Sequence, residues 1–134
     1  MDRKTVEKIK KDLKFIEEIP EVHSVLLFGS YVKGNETERS DIDICLVVPH
    51  IKEKEINKIL GLVVSKLSKK ENYDISIFES LPLFMKAEVI EKHIVLFSRD
   101  ILELYEYFYF YRKIWNDQKH RQKLSRDEMI KLFK

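Results

Sequence analysis

Two apolar runs joined through a glycine-serine step and a pair of aspartates set the tightest limit on what this chain can become. The segment reads Leu26-Leu27-Phe28-Gly29-Ser30, then ten further residues, then Asp41-Ile42-Asp43 at the head of a second apolar run from Ile44 to Val48. Side chains alternate along a strand, so Asp41 and Asp43 share one face while Ile42 and Ile44 take the other. Two carboxylates side by side are costly: at about 4 Å and an effective dielectric near 20 they repel by about 4 kcal/mol. A divalent cation removes that cost, and a set of hard oxygens suits magnesium. The Gly29-Ser30 step supplies the other half. Glycine permits close backbone approach, and N–H groups with a hydroxyl can hold phosphate oxygens where a helix begins. A phosphate cradle beside a cation-binding carboxylate pair is the equipment of nucleotidyl transfer.

The rest of the pattern places these residues on elements. Val6, Ile9, Leu13, Ile16 and Ile19 recur at intervals of three or four and predict an amphipathic helix over 2–19, stopped at Pro20. Val22 to Phe28 reads as a first strand, 30–33 as a short helical turn, and Gly34-Asn35 as a bend. A second strand runs over 42–48, a helix over 53–67, and a third strand over 73–78. Pro82 opens a helix through Ile90, and Ile94 to Phe97 forms a short fourth strand. A long helix runs from Ile101 to about Gln122, and Ser125 with Glu128 forms a capping box for a last short one. The expected fold is α/β (α+β), a small mixed sheet backed by helices with a long C-terminal helix. The reading is one domain over 1–134, with a core over 5–98 and a helical segment over 99–134.

The Gly-Ser, ten-residue spacer and Asp-x-Asp resemble the signature of the nucleotidyltransferase superfamily that includes DNA polymerase beta. With the short chain, they look like the minimal nucleotidyltransferases, the antitoxin halves of pairs with HEPN-domain toxins. The resemblance runs from about residue 5 to about residue 120. It implies a polymerase-beta-like core, ATP as substrate and magnesium, with two ions, as cofactor. Asp41 and Asp43 would then be catalytic metal ligands, and Asp74, in Tyr73-Asp74-Ile75-Ser76-Ile77-Phe78, the third carboxylate and general base. The plainer reading makes Asp41 and Asp43 solvated acids at a strand end, which the upstream Gly29-Ser30 step disfavours, and Asp74 a turn cap. Gly29 and Ser30 would bind the β- and γ-phosphates. Lys33 and Arg39 flank that loop, either to neutralise triphosphate charge or simply as solvated surface cations.

Composition narrows the partners. The 25 Lys and Arg against 23 Asp and Glu leave a net charge of +2. So even a balance argues against a dedicated nucleic-acid binder. One cysteine, Cys45, excludes an internal disulfide and suits a reducing cytoplasm. No apolar stretch approaches the roughly 20 residues of a membrane span. The four histidines show no metal-ligand spacing, which disfavours zinc. The helix from Ile101 carries more aromatics, among them Tyr105, Tyr107, Phe108, Tyr109, Phe110, Tyr111 and Trp115, than one buried stripe needs. The surplus is expected to form a protein-binding surface.

Three functions follow from the resemblance. In the first, an antitoxin transfers AMP from ATP to a tyrosine of a cognate HEPN ribonuclease toxin; no arginine here has a histidine at the HEPN spacing, so this chain is the transferase half. The second is a small-molecule nucleotidyltransferase of the aminoglycoside-modifying type, whose relatives add a helical acceptor domain. The third is a non-catalytic antitoxin that neutralises its partner by binding alone.

Overall fold

The sequence switches its apolar spacing from four to three between Ile9 and Ile19, and the backbone follows. The computed structural model describes residues 3–34, 41–67, 69 and 71–132. Helix α1 spans Arg3–Asp12 and then tightens into a 3-10 turn over Lys14–Glu18, so the single helix expected over 2–19 is divided. Three residues per turn stack positions three apart, which brings Leu13, Ile16 and Ile19 together with Ile9 in the core.

Strand β1 (Ser24–Phe28) leads through Gly29 into a one-turn helix α2 (Ser30–Lys33), closed by Gly34 in the left-handed conformation at φ +78°. Strand β2 spans Ile42–Val47, α3 Glu53–Lys66 and β3 Tyr73–Ile77. A 3-10 turn, Phe78–Ser80, precedes α4 (Leu83–Glu91) and β4 (Ile94–Ser98). The expected order of elements is therefore present. The sheet order is β3-β2-β1-β4, with β1 antiparallel to both neighbours and β2 parallel to β3, the mixed sheet read from the sequence.

Helix α5 corrects the sequence reading, since it continues from Ile101 to Leu132 without a break near Gln122. No Gly or Pro interrupts that stretch, and interior Ser or Asp costs less than about 0.7 kcal/mol each. The Ser125 and Glu128 side chains lie outside the described set. The helix start is fixed by Asp100, which the sequence reading missed. Its Oδ1 accepts from the Leu102 and Glu103 N–H groups at 3.0 and 3.2 Å. Beside it, the Arg99 guanidinium donates to the carbonyls of Glu17, Ile19 and Val22 and ties α5 to the first turn.

Alternation along β2 divides the interior in two. Ile42, Ile44 and Leu46 pack against α1, the first 3-10 turn and α3, with Ile59 and Val63. Cys45 and Val47 face α4 and α5, with Leu26, Phe78, Val89, Leu104 and Phe108. Cys45 is buried, as expected. Asp43 shares the parity of Cys45 and so points to the α4/α5 side of the sheet.

Candidate active site

The site begins where β1 ends. Gly29 adopts φ +77°, and a Cβ built on it would lie 2.1 Å from Oδ2 of Asp43. The space a side chain would occupy is taken by that carboxylate, so glycine is required twice over, for conformation and for room. Phe28 is the register partner of Asp43 across the antiparallel pair, which places the two strands' ends against each other. The Val32 and Lys33 N–H groups both donate to the Gly29 carbonyl at 3.1 Å. Ser30 thus stands at the first position of α2, half-buried, in the turn that follows Gly29.

Asp74 arrives from the other side. In the parallel pair of β2 and β3 it is the register partner of Asp43, close enough for its charge to act on the Asp43 carboxyl. The head of β2 is locked in place by the Ile42 N–H donating to the Asn72 carbonyl at 2.7 Å. Burial first, then the negative charge of Asp74, then that of Asp41, push the Asp43 carboxyl up to about 6. Asp41 sits exposed one residue ahead of β2. Its charge reaches Asp43, yet among the described residues no group of three or more His, Cys, Asp or Glu is arranged to hold a metal ion. The fold therefore assembles Gly29, Asp43 and Asp74 directly, with Ser30 next in the chain and Asp41 beside them. Lys33 is exposed at the end of α2. Arg39 lies outside the described residues.

Residues 7–102 match the family described as polymerase beta, nucleotidyltransferase. The chain belongs to that family. As a nucleotidyltransferase it is 51% identical over 100 residues, 75% of each chain, to a Methanocaldococcus jannaschii protein provisionally named a protein adenylyltransferase. A second protein of that organism, provisionally named in the same way, is 38% identical over 72 residues, 46% of this chain and 72% of its own. Among solved structures, a chain in the complex of tri-AMPylated Shewanella oneidensis HEPN toxin with MNT antitoxin superposes with a TM-score of 0.62 at 20% identity. That match covers 96% of this chain and 99% of the other. A chain of a toxin–antitoxin structure with AMP-PNP gives 0.59 at 19% identity, covering 94% and 95%. Both likenesses establish the polymerase-beta-like fold.

The donor set fits the magnesium of this family in a particular way. Asp43 and Asp74 are hard oxygen donors; burial first and then the charge of Asp74 disfavour the Asp43 carboxylate, a cost that a cation would relieve. Magnesium is commonly held by one or two carboxylates together with waters and substrate phosphates. A paired Asp43 and Asp74 with Asp41 near by satisfies that pattern without a closed three-carboxylate cage. No helix among the described residues is long and apolar enough to cross a membrane.

A fourth acid on this side of the sheet was not singled out in the sequence. Glu79, mostly buried, accepts from the Val48 N–H at 2.8 Å and the Tyr107 hydroxyl at 2.7 Å. It links the end of β2 to α5, and its only sequence signal is an acid directly after a buried phenylalanine.

Proposed function

We propose that this nucleotidyltransferase is the antitoxin of a toxin–antitoxin pair and transfers AMP from ATP to a tyrosine hydroxyl of a HEPN-domain ribonuclease toxin. The observation that carries the reading is the Asp43 carboxylate set between Gly29 and Asp74, an anionic pair against a bare backbone turn. The close relative named for protein adenylylation supports a protein acceptor, and the AMP-modified HEPN toxin in the similar complex supports the class of that acceptor. A lone buried cysteine is consistent with work in the cytoplasm.

In this reading the tyrosine oxygen bonds to the α-phosphorus while the bond from that phosphorus to the bridging β-oxygen breaks. Pyrophosphate leaves with the bridging electrons. Asp74, the exposed member of the pair, takes the phenolic proton. Gly29 gives the β- and γ-phosphates access to the backbone, and the Ser30 hydroxyl binds them. Lys33 and Arg39 add positive charge around the triphosphate. Asp41, Asp43 and Asp74 would hold one or two magnesium ions, which would supply positive charge against the phosphates and acidify the attacking hydroxyl.

The test mixes the protein, ATP and magnesium with a HEPN protein encoded beside it, and reads the intact mass of each chain. Mass increments of AMP less water on the HEPN protein, located to tyrosine, are expected. A toxin silenced with its mass unchanged would replace transfer by binding alone. Modification of an aminoglycoside in place of the protein would move the acceptor to small molecules.

A further inference from the structure

Helix α5 carries an apolar stripe that its own fold leaves uncovered. Leu104 and Phe108 face the core, whereas Leu102, Tyr105 and Tyr109 are 73%, 50% and 64% exposed. At about 100° per residue, positions seven apart lie within about 20° of each other around the helix. Leu102 and Tyr109 therefore share one line, Tyr105 and Arg112 a second, and Glu106 and Lys113 a third. The last two lines flank the first on opposite sides. Each flank holds unlike partners: an aromatic ring and a guanidinium on one, a carboxylate and an ammonium on the other.

A second copy of the same helix, laid antiparallel with Tyr109 opposite Tyr109, meets this pattern along both flanks. The two-fold axis keeps each flank on its own side and reverses direction along it. Glu106 then comes level with Lys113 of the second copy, and Tyr105 level with Arg112, each contact occurring twice. A parallel pair would instead bring opposite flanks together, with Lys113 against Arg112 of the second copy, like charges twice over. Glu106, Arg112 and Lys113 are all exposed, and none makes an ion pair within the chain among the described residues. We infer that the exposed face of α5 is the contact of an antiparallel homodimer, giving a particle with two nucleotidyltransferase sites.

Charge reversal tests this on the full chain, with mass in solution measured by light scattering after size exclusion. The native chain is expected at twice its own mass. Glu106→Lys alone and Lys113→Glu alone should each weaken the dimer about tenfold or more, because each places like charges opposite one another twice. Glu106→Lys combined with Lys113→Glu should restore it. That rescue separates facing helices from unspecific stickiness of the tyrosines, and circular dichroism checks that each variant is folded. A native chain that stays monomeric overturns the inference. So does a dimer indifferent to the single reversals. A monomer that loses its HEPN acceptor on Tyr109→Glu would give this face to the acceptor and overturn it equally. Adenylyl transfer by a dimerisation-deficient variant would leave the proposed function untouched.

Discussion

Asp43 and Asp74 face each other as register partners across the parallel strands β2 and β3, so that the negative charge of one acts on the carboxyl of the other. Burial, and then the charge of Asp74, favour the protonated form of Asp43. The group titrates in the folded chain at about 6 against 3.8 for a free aspartate. Its folded value is raised, so the stability tied to its proton is complete below about pH 4 and lost as pH rises through about 6.

The first prediction follows from that sign. The shift sets a ceiling of about 3 kcal/mol at neutral pH, lowered by solvent screening because Asp43 is only half-buried. Without metal, Asp43→Asn should melt higher than the native chain at pH 7.5, and the difference should vanish near pH 4. Magnesium should raise the melting temperature of the native chain at pH 7.5 and leave the variant unmoved. Equal melting curves for the two proteins at pH 7.5 would show that the pair carries no strain.

The same substitution should be fatal to chemistry. Asp43→Asn, and separately Asp41→Asn, are expected to lower adenylyl transfer by on the order of 100-fold or more, with circular dichroism unchanged. Asp41 is the more demanding case, since it is exposed and stands ahead of the strand. Full transfer by Asp41→Asn would confine the ligand set to Asp43 and Asp74.

Gly29 and Gly34 both have positive φ, +77° and +78°, and differ in what surrounds them. An added Cβ meets Asp43 Oδ2 at 2.1 Å in the first and nothing within 4 Å in the second. Gly34, at ψ 17°, is left-handed α, and its alanine variant loses about 1–2 kcal/mol to backbone conformation. Gly29, at ψ −148°, lies where essentially only glycine goes, and its alanine variant loses about 1–3 kcal/mol. Gly29→Ala must in addition push the Asp43 carboxylate aside, so it should abolish transfer, while Gly34→Ala keeps it. Denaturant unfolding and a transfer assay on the two variants separate conformation from collision.

How much of this was legible beforehand depended on sequence distance. The Gly29-Ser30 step, Asp41 and Asp43 stand within one short stretch, so strand alternation and glycine chemistry located them. The strand of Asp74 was also readable, but its pairing with Asp43 is a matter of register between strands some thirty residues apart, and only the family resemblance pointed to it. Ile16 and Ile19 fitted a helix and a 3-10 turn about equally, and packing against β2 decided. Glu79 gave only a weak signal, an acid directly after Phe78, because its role rests on the Val48 N–H and Tyr107 hydroxyl that reach it from distant segments. In α5, the capping pair Ser125 and Glu128 suggested a boundary. Nothing in the stretch breaks a helix, so the helix runs through it.

Glu79 supplies the last prediction, which separates a buried charge from its hydrogen bonds. Burial holds its carboxyl above the ordinary range, against the lowering by the Val48 and Tyr107 bonds. Its ionised form thus costs stability as pH rises through that raised value, in the same direction as Asp43. Glu79→Ala strands the Val48 N–H and the Tyr107 hydroxyl and should cost about 1–3 kcal/mol. Glu79→Gln keeps an oxygen for the Val48 N–H. Its amide can donate to the Tyr107 oxygen, whose own proton turns to the Tyr111 hydroxyl 3.3 Å away. The glutamine variant should therefore match the native chain near pH 4 and exceed it near pH 8, while the alanine variant falls below it at both. Urea unfolding of the three proteins at the two pH values decides, and a glutamine variant as weak as the alanine one would mean that the charge itself holds α5 to β2.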